Sequence, residues 1–398
     1  MDYEHITSQR QLTDFCNSLH DAPLIGFDTE FVSEDTYRPD LCLIQVAAGN
    51  RLAVIDPKSV EDVTPFWRLI TSPEHETIVH AGREEFRFCF AATGQRPNNL
   101  LDVQIAAALI GLEYPAAYGT LVRKLLNSTL RKGETRSNWR HRPLSERQLE
   151  YALDDVVYLE PLRNALVKQI EKLRRRTWLA SEMSDWQASV EHAESVERWR
   201  RVSGIANLSS RSLAIVRELF HWRDEEASRR DRPARRILRD DLIVELAKRQ
   251  SADPKRINAV RGMERRELKN QYTQLAKCVE RALSLADSEC PRPHARSRKQ
   301  QLNALGQFLT TALGSISRGA HVAPGLVGTS QDVRDLVSHH LGLEKFDEPP
   351  ILATGWRAEV VGQQIEKLIK GELCLRISDP LSDHPLAFEP RITKNSDK

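Results

Sequence analysis

Apolar and polar positions change their rhythm twice along this chain. Between residues 22 and 80 the apolar residues come in short runs: Ala22–Phe31 ("APLIGFDTEF"), Leu41–Ala48 ("LCLIQVAA"), Arg51–Pro57 ("RLAVIDP") and Glu76–His80 ("ETIVH"). Runs of this length bounded by turn residues predict strands, and Gly49–Asn50 between the second and third predicts a tight reversal. From Glu84 to Thr93 the spacing becomes helical, with Phe86, Cys89 and Phe90 at i, i+3 and i+4. After Pro143, Ser145 and Gln148 have the spacing of a capping box, and Leu149, Leu153, Val156 and Leu159 form the apolar stripe of a long helix. Beyond about residue 178 strand signals nearly vanish.

That rhythm divides the chain into an α/β part and helical modules. The expected boundaries are an α/β domain at 1–176, a polar helical connector at 177–204, a helical bundle at 205–286, a linker at 287–300, a further helical domain at 301–380 and a loosely attached tail at 381–398. Pro254 suits the first position of a helix, and "DSECPRPHARSRKQ" has the proline, serine and basic content of an exposed linker. "RILRDDLIVELA" (236–247) and "GLVGTSQDVRDLV" (325–337) echo one another, which suggests two related helical modules.

Length and composition fit this division. At 398 residues two or three domains are expected, and 40% hydrophobic with 29% charged residues describes a globular chain with real cores. A net charge of +2 conceals arginine clusters at 174–176, 229–239 and 292–299, whose recurrence leans toward a polyanionic partner. Six scattered cysteines without a CxxC pair predict reduced thiols rather than a zinc site or a disulfide framework. A polar N-terminus and the lack of any long apolar run predict a cytoplasmic protein without a membrane span.

The chemistry lies in acids placed among apolar neighbours. Asp28 and Glu30 are two apart on a predicted strand and so share a face. Tyr151 and Asp155 are four apart on the capped helix and share another, while Asp154 points elsewhere and reads as a solvated or capping acid. An acidic pair, Glu84–Glu85, opens the helix between them. Carboxylates without histidine or cysteine suit Mg²⁺ or Mn²⁺. Two such ions about 4 Å apart serve phosphodiester cleavage, with a phenol to orient the attacking water. His80 reads as a core or loop histidine, and Gln45 as hydrogen-bonded inside the domain.

"GFDTEF…TYRPDLCLIQVA", "HAGREEF" and "RSNWRHRPLSERQLEYALDDVVYL" together resemble the three motifs of ribonuclease D, in the DEDDy branch of 3′–5′ exonucleases. The resemblance spans residues 20–165. It implies a ribonuclease H-like α/β exonuclease fold, a mixed sheet flanked by helices, with Asp28, Glu30 and Asp155 as ligands of two divalent ions and Tyr151 as the tyrosine of the branch. The second motif departs from the pattern, since Glu85 stands where the family has aspartate. The extra methylene moves the carboxylate about 1.5 Å outward. A changed rotamer or a displaced water would accommodate it, and Glu84 would face about 100° away on a helix.

Residues 205–286 are similar to the helicase-and-RNase-D C-terminal (HRDC) module through "LAIVRELFHWRDEEASRRDRPARRILRDDLIVELAKR" and "INAVRGMERRELK". Residues 301–380 resemble a divergent second copy, in which Gly355–Trp356–Arg357 pack the module. The resemblance implies an exoribonuclease trimming RNA with a free 3′ end, such as tRNA precursors, as a monomer that releases nucleoside 5′-monophosphates. Lys132, Arg136, Arg140 and Arg142 before the catalytic helix, with Arg232, Arg235 and Arg236 in the bundle, are the expected phosphate contacts. Trp139 is suited to packing under this loop or stacking on a base. A DNA exonuclease of the helicase-associated type, and an RNA-binding scaffold weakened by Glu85, stay open as alternatives.

Overall fold

The computed structural model describes residues 2–130, 137–195, 197–293 and 302–391. The four expected strands form as β2 (Leu24–Val32), β3 (Asp40–Ala48), β4 (Arg51–Ile55) and β5 (Glu76–Val79). Two short strands with little sequence signal, β1 (Glu4–Ile6) and β6 (Leu100–Asp102), complete a sheet of order β1-β4-β3-β2-β5-β6. The β2–β3–β4 meander is antiparallel, and β1–β4, β2–β5 and β5–β6 are parallel.

Around the sheet lie α1 (Gln9–Ser18), α2 (Thr64–Ile70), α3 (Arg83–Thr93), α4 (Val103–Ala108), α5 (Tyr118–Leu126), α6 (Glu146–Val157) and α7 (Leu159–Lys172). The Ser145–Gln148 capping box starts α6 as expected. The long helix predicted through Leu159 is instead two helices that break at Tyr158. The break lets α7 turn onto the sheet. Gly26 marks how closely the two meet, since a Cβ there would sit 3.1 Å from the Leu159 Cβ.

Helix α8 (Arg176–Ser195) is no mere connector. Leu179, Met183 and Val190 are buried in the core of the sheet domain, and Trp186 packs edge-on against Phe86. The next block opens with α9 (Ser210–Arg230) and has a core of its own, including Trp199, Leu219, Ile243, Met263, Leu275 and Val279. The last block does not. Leu309, Leu313, Val333, Leu336, Leu352 and Ile365 belong to the same continuous core as Phe27, Ile78 and Leu166 of the α/β unit. Part of the expected loose tail is structured too, because β7 (Leu373–Ile377) and β8 (Leu386–Pro390) pair as an antiparallel hairpin. All six cysteines are free thiols, five of them buried and Cys374 exposed. Among the described residues no helix is long and apolar enough to cross a membrane.

Candidate active site

Three elements bring the acids together. Strand β2 outruns its parallel neighbour: pairing with β5 stops at Gly26–Ile78, so Asp28, Thr29 and Glu30 continue past the end of β5. A bulge follows between Glu30 and Phe31 and turns the strand away. Helix α3 enters this opening and carries Glu85 in its first turn. Helix α6 packs across β2, β3 and β4 and presents Tyr151 and Asp155. Its stripe of Leu149, Ala152, Leu153 and Val156 is buried.

The turn that aims α3 rests on Asp102, a residue that sequence reasoning missed. Its buried carboxylate accepts hydrogen bonds from the amides of Ala81 (3.0 Å), Gly82 (3.0 Å) and Gln104 (2.8 Å). It thereby ties the turn before α3 to the start of α4. Ala81 has a left-handed φ of 54°. A Cβ on Gly82 would come within 2.3 Å of the Val79 side chain, so the turn needs glycine there.

Electrostatically the cluster is a set of acids that repel. Asp28 is held well above the usual carboxylate range, first by desolvation and then by Glu85, Asp155 and Glu30. Glu30 is pushed up to about 8 by burial and by Asp155 and Glu85. Burial raises Glu85 to about 7 against a hydrogen bond from Thr29, and Asp155 to about 7 against one from Tyr151. Such a site is short of positive charge. The donor set, four carboxylates without nitrogen or sulfur, fits hard divalent cations. Among the described residues no three acidic, histidine or cysteine side chains close into a preformed ion cage. The acids are near enough for Glu85, Asp155 and Glu30 each to raise Asp28.

Glu85 reaches the site differently from its neighbours. It is 5% exposed, and its Oε1 accepts a 2.5 Å hydrogen bond from the Thr29 hydroxyl. The longer side chain is thus anchored to β2 between the two strand acids. Glu84 turns outward and pairs with Arg87 at 2.9 Å. Asp154, expected to be solvated, is buried at 8% exposure and raises Asp155. Tyr118 is a second buried phenol at the site: Asp155 and Asp28 add to the burial that raises it, against a backbone hydrogen bond at Tyr158. His80 hydrogen-bonds the Ala116 carbonyl at 2.9 Å and packs against the Tyr118 ring.

The basic loop before α6 differs from expectation. Lys132 and Arg136 lie outside the described residues. Arg142 makes two 2.7 Å bonds to Asp56 and one each to the carbonyls of Cys42 and Trp139. Arg140 grips Asp35 and Asp40 at 2.8 Å. Both guanidiniums are engaged by acids of the chain and fasten the loop to the sheet. Trp139 is 3% exposed and packs 6.2 Å from Tyr151. It has no free face for a base. Likewise Arg175 is buried and structural, bonded to the carbonyls of Leu109 and His321, rather than part of a surface cluster. In the middle block Arg232, Arg235 and Arg236 are exposed, with Arg235 3.2 Å from Asp240.

Beside α3 a cleft of about 390 Å³ is lined by Tyr37, Arg38, Phe88, Phe90 and Arg198 among others. It lies at the seam with the middle block, where the Tyr37 hydroxyl donates to Asp224 at 2.8 Å and Arg198 pairs with the same acid at 3.3 Å.

Comparison with known proteins agrees with this geometry. A family described as 3′–5′ exonuclease matches residues 3–171, and the HRDC domain matches 212–279. Ribonuclease D from Granulibacter bethesdensis is 32% identical over 378 residues, covering 94% of each chain. Ribonuclease D from Escherichia coli is 28% identical over 379 residues, covering 93% of this chain and 99% of its own. The crystal structure of E. coli RNase D, described as an exoribonuclease involved in structured RNA processing, superposes with a TM-score of 0.80 over 93% of this chain. The RRP6 catalytic core from Trypanosoma brucei shares the fold, with a TM-score of 0.53, 20% identity and 71% of this chain covered. An exonuclease sheet with converging acids, an HRDC bundle and relatives matched over nearly their whole length lead to one conclusion: the chain belongs to the ribonuclease D family and is a 3′–5′ exoribonuclease.

Proposed function

We propose that the chain trims RNA with a free 3′ end, tRNA precursors among its substrates, releasing nucleoside 5′-monophosphates one at a time. It acts in the cytoplasm as a monomer. The observation that carries this reading is the meeting of Asp28, Glu30, Glu85 and Asp155 from three elements in one desolvated cluster beside a phenol. These four would hold two divalent ions, Mg²⁺ or Mn²⁺. Bound there, the ions supply Lewis acidity to the scissile phosphate, lower the pKa of the attacking water and neutralise the leaving oxygen.

The chain's own groups do the positioning. The Tyr151 hydroxyl, hydrogen-bonded to Asp155, stands where it can exchange that bond for one to water and orient its attack on phosphorus. The bond to the 3′ oxygen of the shortened RNA breaks, that oxygen takes a proton, and the phosphate leaves with the released nucleotide. Upstream nucleotides would follow the cleft between α3 and the middle block, with rings at Tyr37, Phe88 and Phe90 and charge at Arg38.

The test is digestion of 5′-labelled single-stranded RNA with Mg²⁺ or Mn²⁺, comparing wild type with Asp28→Asn and Asp155→Ala. Expected are nucleoside 5′-monophosphates from a 3′-hydroxyl end, none from a blocked 3′ end, and loss of product in both variants. Equal product from the variants would remove the acids from the mechanism. Faster digestion of a matched DNA strand would remove RNA as the preferred substrate.

A further inference from the structure

Gln45 lies in the middle of β3 and is fully buried, where the sequence predicts a hydrogen-bonded side chain. Among the described residues neither its amide oxygen nor its amide nitrogen has a partner. Leaving a buried polar group unpaired is destabilising, whereas an apolar side chain of similar shape avoids that penalty. Stability alone does not account for a glutamine here.

Its neighbour supplies a reason. In the sheet register Asp28 stands opposite Gln45, and Gln45 opposite Val54, so one row of side chains crosses three strands. Residues directly opposite share a face, with Cβ atoms about 4.5–5.5 Å apart. The face is the one covered by α6 and α7: a Cβ on Gly26, two positions before Asp28, would meet Leu159 of α7. The Gln45 amide is therefore within side-chain reach of the Asp28 carboxylate, on the side away from solvent. Among the described residues Thr77 also keeps a buried hydroxyl without a partner, but it stands opposite Ile25 and Leu100 and not opposite an acid of the site.

We infer that Gln45 is a positioning residue for Asp28. Its N–H groups are neutral donors, suited to hold one carboxylate oxygen while leaving the acid its full negative charge for cations. An arginine or lysine there would cancel that charge. The inference rests on Asp28 being one of the metal-holding acids, and it gives a function to a buried amide that is otherwise unpaired among the described residues.

Gln45→Met keeps the shape and removes the amide, and Gln45→Leu is the second variant. Expected in both are a melting temperature equal to or above wild type and a kcat on 3′-hydroxyl RNA lowered about 10–100-fold, as for other groups that orient metal ligands. KM should be unchanged, and Mn²⁺ binding, measured by calorimetry without RNA, should weaken by a similar factor. Wild-type kcat with unchanged Mn²⁺ affinity would overturn the inference. So would a loss of kcat matched by a fall in melting temperature in both variants, which would make Gln45 purely structural. Asp28→Asn separates the two levels. If it is inactive while Gln45→Met is fully active, only the role of Gln45 falls; if it is active, the reading of the acids falls with it.

Discussion

The two helical blocks that follow the nuclease sheet carry similar amphipathic helices, yet they are attached in opposite ways. The middle block closes around its own core and meets the sheet domain at a polar seam, where Tyr37 bonds Asp224 and, through its amide, Asp231 at 3.1 Å. The last block shares its core with the sheet domain. There the buried Arg357 guanidinium binds Glu182 of α8 at 2.7 and 2.8 Å, Trp356 donates to the same carboxylate at 3.2 Å, and its ring stacks on Trp178. The amide of Ala323 reaches the Ala108 carbonyl at 2.9 Å. One block is an accessory with a core of its own and the other a wall of the nuclease. What separates them is whether α8 offers a buried acid and an apolar face to dock on.

The largest expected effect tests the wall. Arg357→Ala leaves Glu182 buried without its cation, which should destabilise the nuclease unit by about 3–5 kcal/mol. Urea unfolding followed by tryptophan fluorescence would show it; a wild-type midpoint would mean that the last block is not part of the nuclease core.

Acid should separate the blocks next. Burial would raise Asp240, but the hydrogen bond and charge of Arg223 prevail and hold it below the ordinary carboxylate range. A depressed folded pKa contributes stability that is complete above the unfolded value of about 3.9 and is lost as pH falls through the folded value. The middle block should therefore loosen below about pH 4. Asp240→Asn should flatten this dependence in a pH series of hydrogen exchange, and an unchanged slope would refute it.

A smaller effect belongs to the seam. Tyr37→Phe removes one hydrogen bond, about 0.5–1.5 kcal/mol, without altering the melting of the nuclease core. It should raise KM for long RNA and leave turnover of a dinucleotide alone. Equal KM changes on both substrates would place Tyr37 in the catalytic cleft instead. Smallest of all is Arg235→Ala. Its exposed pair with Asp240 contributes at most about 1 kcal/mol, but if the bundle grips phosphate, the salt slope of RNA binding should fall by about 1.

The sheet and its acids were legible because their signals are local. Alternating runs mark β2 to β5, a capping box marks α6, and Asp28–Glu30 and Tyr151–Asp155 share faces by periodicity alone. β1 and β6 are three residues each, too short to alternate, and exist through their neighbours. The break at Tyr158 is set by packing against Gly26, which no periodicity reports. The arginines before α6 misled for the same reason. A guanidinium bound to Asp56 and one free for phosphate look alike in sequence, and only the fold brings residues 56 and 142 together. Asp102 left a faint trace, since it is also the cap of α4. The pairing of Glu182 with Arg357, 175 positions apart, left none.

The bonds made by Arg175 set an order of events during synthesis. Its guanidinium joins carbonyls at Leu109 and at Ala320 and His321, so the seat prepared by the first half of the chain is completed by residues made much later. A ribosome that has released only the catalytic motifs has made every acid of the site, yet the sheet domain still lacks one side of its core. Finished packing, and with it a rigid nuclease, arrives only when the last helices emerge. An RNA-degrading enzyme born beside messenger RNA thus completes its nuclease core only after the residues around 320 have been made.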